Sequence, residues 1–387
     1  MPIDVDEVRR QTRGLRNVVH FNNAGSSLMP GPVVDTVVGH LRREEDIGGY
    51  EAAEEADDRL ENVYSSVARL LGARPEEVAL AENGSRAWAA AVYSFPFTPR
   101  GRLLIGSTEY AGNVLALRQL AERNDLEIVV LRDDVHGQVD VEHLQLELER
   151  GNVAMVALTH VPMANGLVNP AAEVGKRCRA AGVMFVLDAC QSVGQVPLDV
   201  QALGCDVLAG TGRKFLRGPR GTAFLYVRAA LLDRLEPSML DGHSARPAGS
   251  SGFEVRSDAR RFESWESNAA GRLGLGRAVD YALDLGLDAV QERVAGLADR
   301  LRTELASVRG VTVHDRGITR CGIVTFTVAG SDAGGIRRLL ADHRINVSVA
   351  PRSFPAGTPP EAEMVVRASV HYYNTEAEVQ RLVGLLQ

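Results

Sequence analysis

Short runs of aliphatic and β-branched residues recur along the first two-thirds of the chain, each followed by a stretch with helical spacing. Seven of these runs read as strands: Val78–Ala81, Leu103–Ile105, Ile128–Leu131, Val153–Leu158, Val183–Leu187, Asp206–Ala209 and Ala223–Val227. They are almost continuously apolar rather than alternating, which is the pattern of strands covered on both faces. The expectation is an α/β protein whose large domain holds a mostly parallel seven-stranded sheet covered by helices. Ligands in such sheets sit beyond the carboxyl ends of the strands, so chemistry is expected just after each run.

The pattern breaks at Glu236–Asp258, where Gly, Ser and Pro predict a loop or flap. A helical stretch, Ala269–Leu285, comes next. Val290, Val294, Leu297, Leu301, Leu305 and Val308 then recur at three- and four-residue spacing and predict an amphipathic helix. The strand Ile323–Val328 and further helix–strand units complete a smaller α+β C-terminal domain. The predicted division is an N-terminal segment 1–30 packing near the site and the small domain, a large domain 31–260, a connecting segment and helix 261–285, and a small domain 286–387. No internal repeat or low-complexity tract interrupts it.

With 387 residues, 45% of them hydrophobic, the chain has ample material for two cores. The net charge of −7 is mild and spread out, with no basic tract of the kind that binds nucleic acid or anionic lipid. A small molecule is the expected partner. The polar start MPIDVDEVRRQTRGLRN has no apolar core, and no run reaches about 18 apolar residues, so neither a signal peptide nor a membrane span is predicted. Cys178, Cys190, Cys205 and Cys321 show no CxxC spacing. They read as ordinary thiols in a reducing cytoplasm rather than as metal ligands.

The segment Asp206–Gly221, DVLAGTGRKFLRGPRG, places Lys214 after a strand and a Gly-Thr-Gly turn, with Arg213, Arg217 and Arg220 nearby. Cations disfavour an ammonium, and a neutral lysine can form a Schiff base near neutral pH. Twenty-six residues earlier another strand ends in Asp188. A lysine to hold an aldehyde and an acid to keep a ring nitrogen protonated match the needs of pyridoxal phosphate. Gly84 and Ser85 open a helix after the first strand of the set, forming a place for a phosphate, although a simple cap at Ser85 reads equally well. Tyr110 follows a strand and is the aromatic candidate to stack on a flat ring. His160 has both a polar-site and a structural reading. Arg367, after an apolar run, suits bidentate capture of an α-carboxylate or an ordinary salt bridge.

Together these residues resemble fold-type I pyridoxal-phosphate enzymes of the class V aminotransferase group, which includes cysteine desulfurases, isopenicillin N epimerase-like proteins and the ergothioneine carbon–sulfur lyase. The resemblance runs from Phe21-Asn22-Asn23-Ala24-Gly25 to the last helix. It implies the cofactor pyridoxal 5'-phosphate, carried as an imine on Lys214, with Asp188 at the pyridine nitrogen and Gln191 at the phenolic oxygen. It implies Tyr110 where many relatives stack a histidine, and Gly84, Ser85, Thr211 and Arg213 around the phosphate. Asn165 becomes a further cofactor contact, standing one or two places later than the relatives' asparagine. Arg367 would hold the substrate carboxylate, with Asn23 and Tyr50 also near the substrate. The segment Arg261–Glu266, with Trp265 toward the cofactor, lies where relatives bring a loop from a partner subunit, which implies a homodimer.

Gly48-Gly49-Tyr50-Glu51-Ala52-Ala53-Glu54 resembles the lyase and epimerase-like branch more than the desulfurases. Desulfurases also carry a nucleophilic cysteine on a loop before the carboxylate arginine, and Asn346–Val366 contains none. The expected activity is therefore a carbon–sulfur lyase: β-elimination from an S-substituted L-cysteine or its sulfoxide, giving pyruvate, ammonia and a thiol. Persulfide-forming desulfurase chemistry is disfavoured. Aminotransferase, epimerase or oxidative decarboxylase-deaminase activity is the alternative, and a catalytically silent binding protein a distant third. The flap Pro237–Val255 and the loop Val349–Pro360 are expected to line the substrate pocket.

Overall fold

The computed structural model describes residues 2–352 and 363–387. A short strand β1 (Val19–His20) precedes the strands of the main sheet: β2 (Val78–Ala81), β3 (Arg102–Ile105), β4 (Glu127–Val130), β5 (Val153–Thr159), β6 (Met184–Asp188), β7 (Val207–Thr211) and β8 (Ala223–Val227). Their order across this seven-stranded sheet is β2-β8-β7-β6-β5-β3-β4. The five strands from β4 to β7 run parallel, while β8 is antiparallel to both β7 and β2. The reversal follows from connection length. No helix stands between β7 and β8, and without a crossover the chain can only return antiparallel.

Alternate residues of the central strands feed two separate cores. Leu104, Val156, Phe185, Leu187 and Leu208 pack on one face, and Leu103, Ile105, Met155, Val186 and Val207 on the other. This is the strand's two-residue alternation with both faces apolar. Each fully buried Phe or Leu contributes about 1.5–3 kcal/mol.

The stretch expected to be an irregular flap contains a hairpin, β9 (Ala245–Ala248) paired with β10 (Gly252–Val255). Gly249 takes a φ of +63° at the turn, and Arg246 pairs with Glu254 across the strands at 2.7 Å. Both strands are largely exposed, so hydrophobic patterning carried no trace of them.

The last third holds β11 (Val311–Val313), β12 (Ile323–Val328), β13 (Ile345–Asn346), β14 (Ser348–Pro351) and β15 (Met364–Ser369). Four of these form an antiparallel sheet in the order β11-β12-β15-β14. The helix Leu287–Ala306 buries Val290, Val294, Leu297, Leu301 and Leu305 in the core that this sheet shares.

The first strand belongs to that end of the molecule. β1 pairs in parallel with β13, and the Ser369 N–H donates to Phe21 O at 2.6 Å. Arg217, fully buried, ties the same region to the loop after β7. Its guanidinium donates to Leu28 O (2.8 Å), Thr12 Oγ1 (2.6 Å) and Tyr372 Oη (2.9 Å), and lies 4.6 Å from the Tyr373 ring centre. Among the described residues, no helix is long and apolar enough to cross a membrane.

Candidate active site

β5, β6 and β7 end side by side at the rim of a cavity of about 280 Å3. That volume lies near the lower end of the range for small-molecule sites, about 300–1,000 Å3. Asp188 closes β6, opposite Thr159 of β5 in register. Its carboxylate is almost fully buried, accepting from Asn113 Nδ2 at 2.8 Å and from the Cys190 N–H at 2.9 Å.

Lys214 stands three residues beyond the end of β7 and lines the same cavity. The turn that carries it is tight. Gly212 donates to Thr222 O at 3.0 Å, and a Cβ on Gly212 would meet Thr222 Oγ1 at 2.4 Å, so only glycine fits without displacement. Burial is the main reason the Lys214 amine falls below its usual pKa. Arg213 and Arg367 push in the same direction, while Cys190 and Asp188 oppose them. Arg217, counted among the crowding cations in the sequence, is instead turned into the buried cluster with Thr12 and Tyr372.

The phosphate site was expected at Gly84 and Ser85, which line the cavity at the start of the helix Gly84–Val92. The cap is Asn83 rather than Ser85, with its side chain accepting from the Arg86 N–H at 3.0 Å. The first N–H groups of the helix therefore face the cavity end without intrahelical acceptors, and the helix dipole adds to their pull on an anion. Gly84 also permits a close approach. A Cβ there would stand 2.4 Å from Cys190 Sγ. Thr211 and Arg213 complete this wall. Gln191 Nε2 donates to Ala24 O at 3.1 Å, while its buried Oε1 has no partner among the described residues. An anion cradle, a buried acid, a buried lysine of lowered pKa and an unsatisfied amide fit the phosphate, pyridine nitrogen, aldehyde and phenolic oxygen of pyridoxal phosphate.

Across the cavity, Arg367 projects from β15. Nε donates to Ser348 Oγ at 2.9 Å and Nη1 to Met163 O at 3.1 Å, which fixes the guanidinium plane. Burial, assisted by Arg213, lowers its pKa to about 10, and among the described residues no carboxylate pairs with it. Asn165 and Tyr110 also line the cavity, Tyr110 being part-exposed at the start of the helix Ala111–Asn124.

Three residues expected near cofactor or substrate do not line this chain's own cavity, Trp265 having been expected there from a partner subunit. Asn23 is fully buried, donating to Ser369 O at 2.6 Å and accepting from the Tyr373 hydroxyl, so its amide holds the N-terminal segment rather than a ligand. Tyr50 and Trp265 are exposed and lie against each other with ring centres 5.8 Å apart, outside this cavity. Pro237 likewise borders a different cleft. Of the loop Val349–Pro360, Arg352 reaches the cavity, and residues 353–360 lie outside the described residues. His160 is buried behind the cavity wall, where burial pulls its ring down to about 4 and keeps it neutral. Its buried Nδ1 has no hydrogen-bond partner among the described residues.

Sequence reasoning missed Asn113, Glu109, Thr159 and Cys190, all of which line the cavity. Asn113 was legible in principle, since it lies one helical turn from Tyr110 and shares its face. Glu109 is fully buried, accepting from the Thr159 N–H and from Thr159 Oγ1 at 2.8 Å. Burial chiefly, with the Asp188 charge adding to it, raises its pKa to about 7 against the Thr159 and Asn113 hydrogen bonds.

A mostly parallel sheet with this acid, this lysine and this anion cradle at its carboxyl end defines a pyridoxal-phosphate enzyme of fold type I. The aminotransferase class-V family model matches residues 19–382, and the chain belongs to that family. Among curated proteins it is 27% identical to the probable cysteine desulfurase of Methanothermobacter thermautotrophicus, over 99% of this chain and 97% of that one. It is 29% identical to the cysteine desulfurase of Enterobacter sp., over 98% and 95%. The apo structure of the cysteine desulfurase from Thermococcus onnurineus NA1 superposes with a TM-score of 0.91 at 26% identity, covering 100% of this chain and 98% of that one.

These names correct the activity expected from sequence. The expectation of a β-eliminating carbon–sulfur lyase, with desulfurase chemistry disfavoured, is overturned by relatives along the whole chain that are named desulfurases. The expectation leaned on the missing loop cysteine. That absence bears on which thiol receives the sulfur, not on whether the carbon–sulfur bond is broken.

Proposed function

We propose that the protein is a pyridoxal-phosphate cysteine desulfurase that passes the sulfur of L-cysteine to a thiol from outside its own chain. The observation that carries the reading is the single cavity in which Lys214, Asp188 and Arg367 meet, in a chain whose relatives bear that name.

When bound, the cofactor supplies an aldehyde for the substrate amine and a ring that accepts the electrons released at Cα. Asp188 would hold the ring nitrogen, Gln191 would meet the phenolic oxygen, and Gly84, Ser85, Thr211 and Arg213 would hold the phosphate. Tyr110 and Asn165, which line the same cavity, would contact the ring. Arg367 binds the substrate carboxylate in its fixed plane. The Lys214 amine, its hold on a proton weakened chiefly by burial, would take the proton at Cα and deliver it again as alanine forms.

The sulfur needs an acceptor. Residues 346–366 contain no cysteine. Cys190 lines the cavity, but burial chiefly, and then the Asp188 charge, raise its thiol well above the usual value, so it stays protonated and a poor nucleophile. The balanced reaction is L-cysteine plus an external thiol giving L-alanine plus a persulfide. Four cysteines without a disulfide among the described residues support a reducing compartment, the cytoplasm. The exposed Tyr50–Trp265 pair and the clefts around it support a homodimer.

The test is incubation of the loaded enzyme with L-cysteine and dithiothreitol. Alanine and sulfide should appear in equal amounts, and Lys214→Ala should abolish both. Pyruvate and ammonia in place of alanine, or no alanine at all, would refute the reading.

A further inference from the structure

We propose that Asn113 is a positioning residue that holds the Asp188 carboxylate in the plane needed at the pyridine nitrogen. The contact is direct, Asn113 Nδ2 donating to Asp188 Oδ2 at 2.8 Å. Both side chains are more than nine-tenths buried and both line the cavity. The other carboxylate oxygen is taken by the Cys190 N–H at 2.9 Å. With one donor on each oxygen, the carboxylate cannot rotate about its terminal bond, and its remaining lone pairs are left for the ring nitrogen.

The amide is itself held from behind. Asn113 lies in the first turn of the helix Ala111–Asn124, and its N–H donates to Tyr110 O at 2.9 Å. The start of that helix is tied to the end of β5 by two contacts through Thr159. Its hydroxyl accepts from the Tyr110 N–H at 3.1 Å and donates to Glu109 at 2.8 Å. Tyr110 and Asn113 sit one turn apart on the same face. One therefore covers the ring while the other fixes the acid at its nitrogen, and a single anchoring of the helix sets both.

Removing the Asn113 N–H would leave Asp188 Oδ2 without the donor that fixes the carboxylate plane, weakening the grip on the cofactor.

The test compares wild type with Asn113→Ala and with the nearly isosteric Asn113→Leu, which lacks the donor and adds no charge. Three measurements are made without substrate: the cofactor dissociation constant, the visible absorption of the loaded protein across pH 6–9, and melting of the cofactor-free protein. Both variants should bind the cofactor roughly 10-fold or more weakly, the equivalent of one charge-assisted hydrogen bond. Both should also show a changed absorption band or a shifted pH titration, with cofactor-free melting close to wild type. Unchanged absorption in a variant that folds, or a loss seen only in cofactor-free melting, would overturn the proposal. Should Asn113→Ala fail to fold, Asn113→Leu carries the same test because it preserves side-chain volume. None of these measurements depends on which amino acid is consumed, so failure here is distinct from failure of the desulfurase reading.

Discussion

Glu109 is a carboxyl group with nowhere to put a charge. Its pKa of about 7 in the folded protein stands against an ordinary value of 4.5. Between those two values the folded chain keeps a proton that the unfolded chain has released. Stability from this group is therefore complete below pH 4.5 and is lost as pH rises through about 7. Asp188, on the neighbouring strand, adds to the cost of ionising it. Replacing Glu109 with Gln removes the titration, so the melting temperature of cofactor-free wild type relative to Glu109→Gln should decline from pH 5 to about pH 7 and level off toward pH 8. A difference that stays flat over that interval would show that Glu109 does not titrate there. Arg367 acts on substrate instead. Arg367→Ala should raise KM for the amino acid by the equivalent of about 2–5 kcal/mol, with cofactor absorption unchanged, as a substrate titration would reveal.

At the level of single elements, the helix Gly84–Val92 illustrates how a missing side chain makes room for a ligand. Adding a methyl group in Gly84→Ala brings a carbon to within 2.4 Å of Cys190 Sγ at the mouth of the phosphate cradle. Cofactor affinity should fall about 10-fold or more as one anion contact is displaced, and the double variant Gly84→Ala/Cys190→Ala should recover most of it. Equilibrium titration of the two proteins separates them. Equal affinities would mean that the sulfur is not what the methyl group strikes. The strands that build this sheet were readable because burial on both faces leaves an unbroken apolar run. The hairpin β9–β10 was not, since it is exposed on both faces and held by turn geometry and an ion pair. Lys214, Asp188 and Arg367 announced themselves by following apolar runs. Asn113 did not, because its meaning depends on where its helix begins, and Asn23 misled because its amide faces inward to Ser369 and Tyr373.

Across the whole molecule, the loop after β7 is tied to the N- and C-terminal segments through a cation that has no acid beside it among the described residues. Arg217 satisfies Leu28 O, Thr12 Oγ1 and Tyr372 Oη from three separate stretches of chain. Arg217→Met keeps most of the volume but strands these groups, at about 1–3 kcal/mol for each left unsatisfied. A clear drop in melting temperature with weakened cofactor binding is expected, because the loop bearing Lys214 is pinned by the same residue. Calorimetry with and without cofactor measures both. A variant that melts like wild type would show that the arginine is a passenger.

The pairing of β1 with β13 also has a consequence in time. Ile345 and Asn346 leave the ribosome more than 300 residues after Val19 and His20, so the segment carrying Ala24 and Gly25 waits, unplaced, through most of synthesis. A nascent chain stopped before residue 345 would have its sheet and its lysine but an unfinished wall, and vitamin capture would come only at the very end of translation.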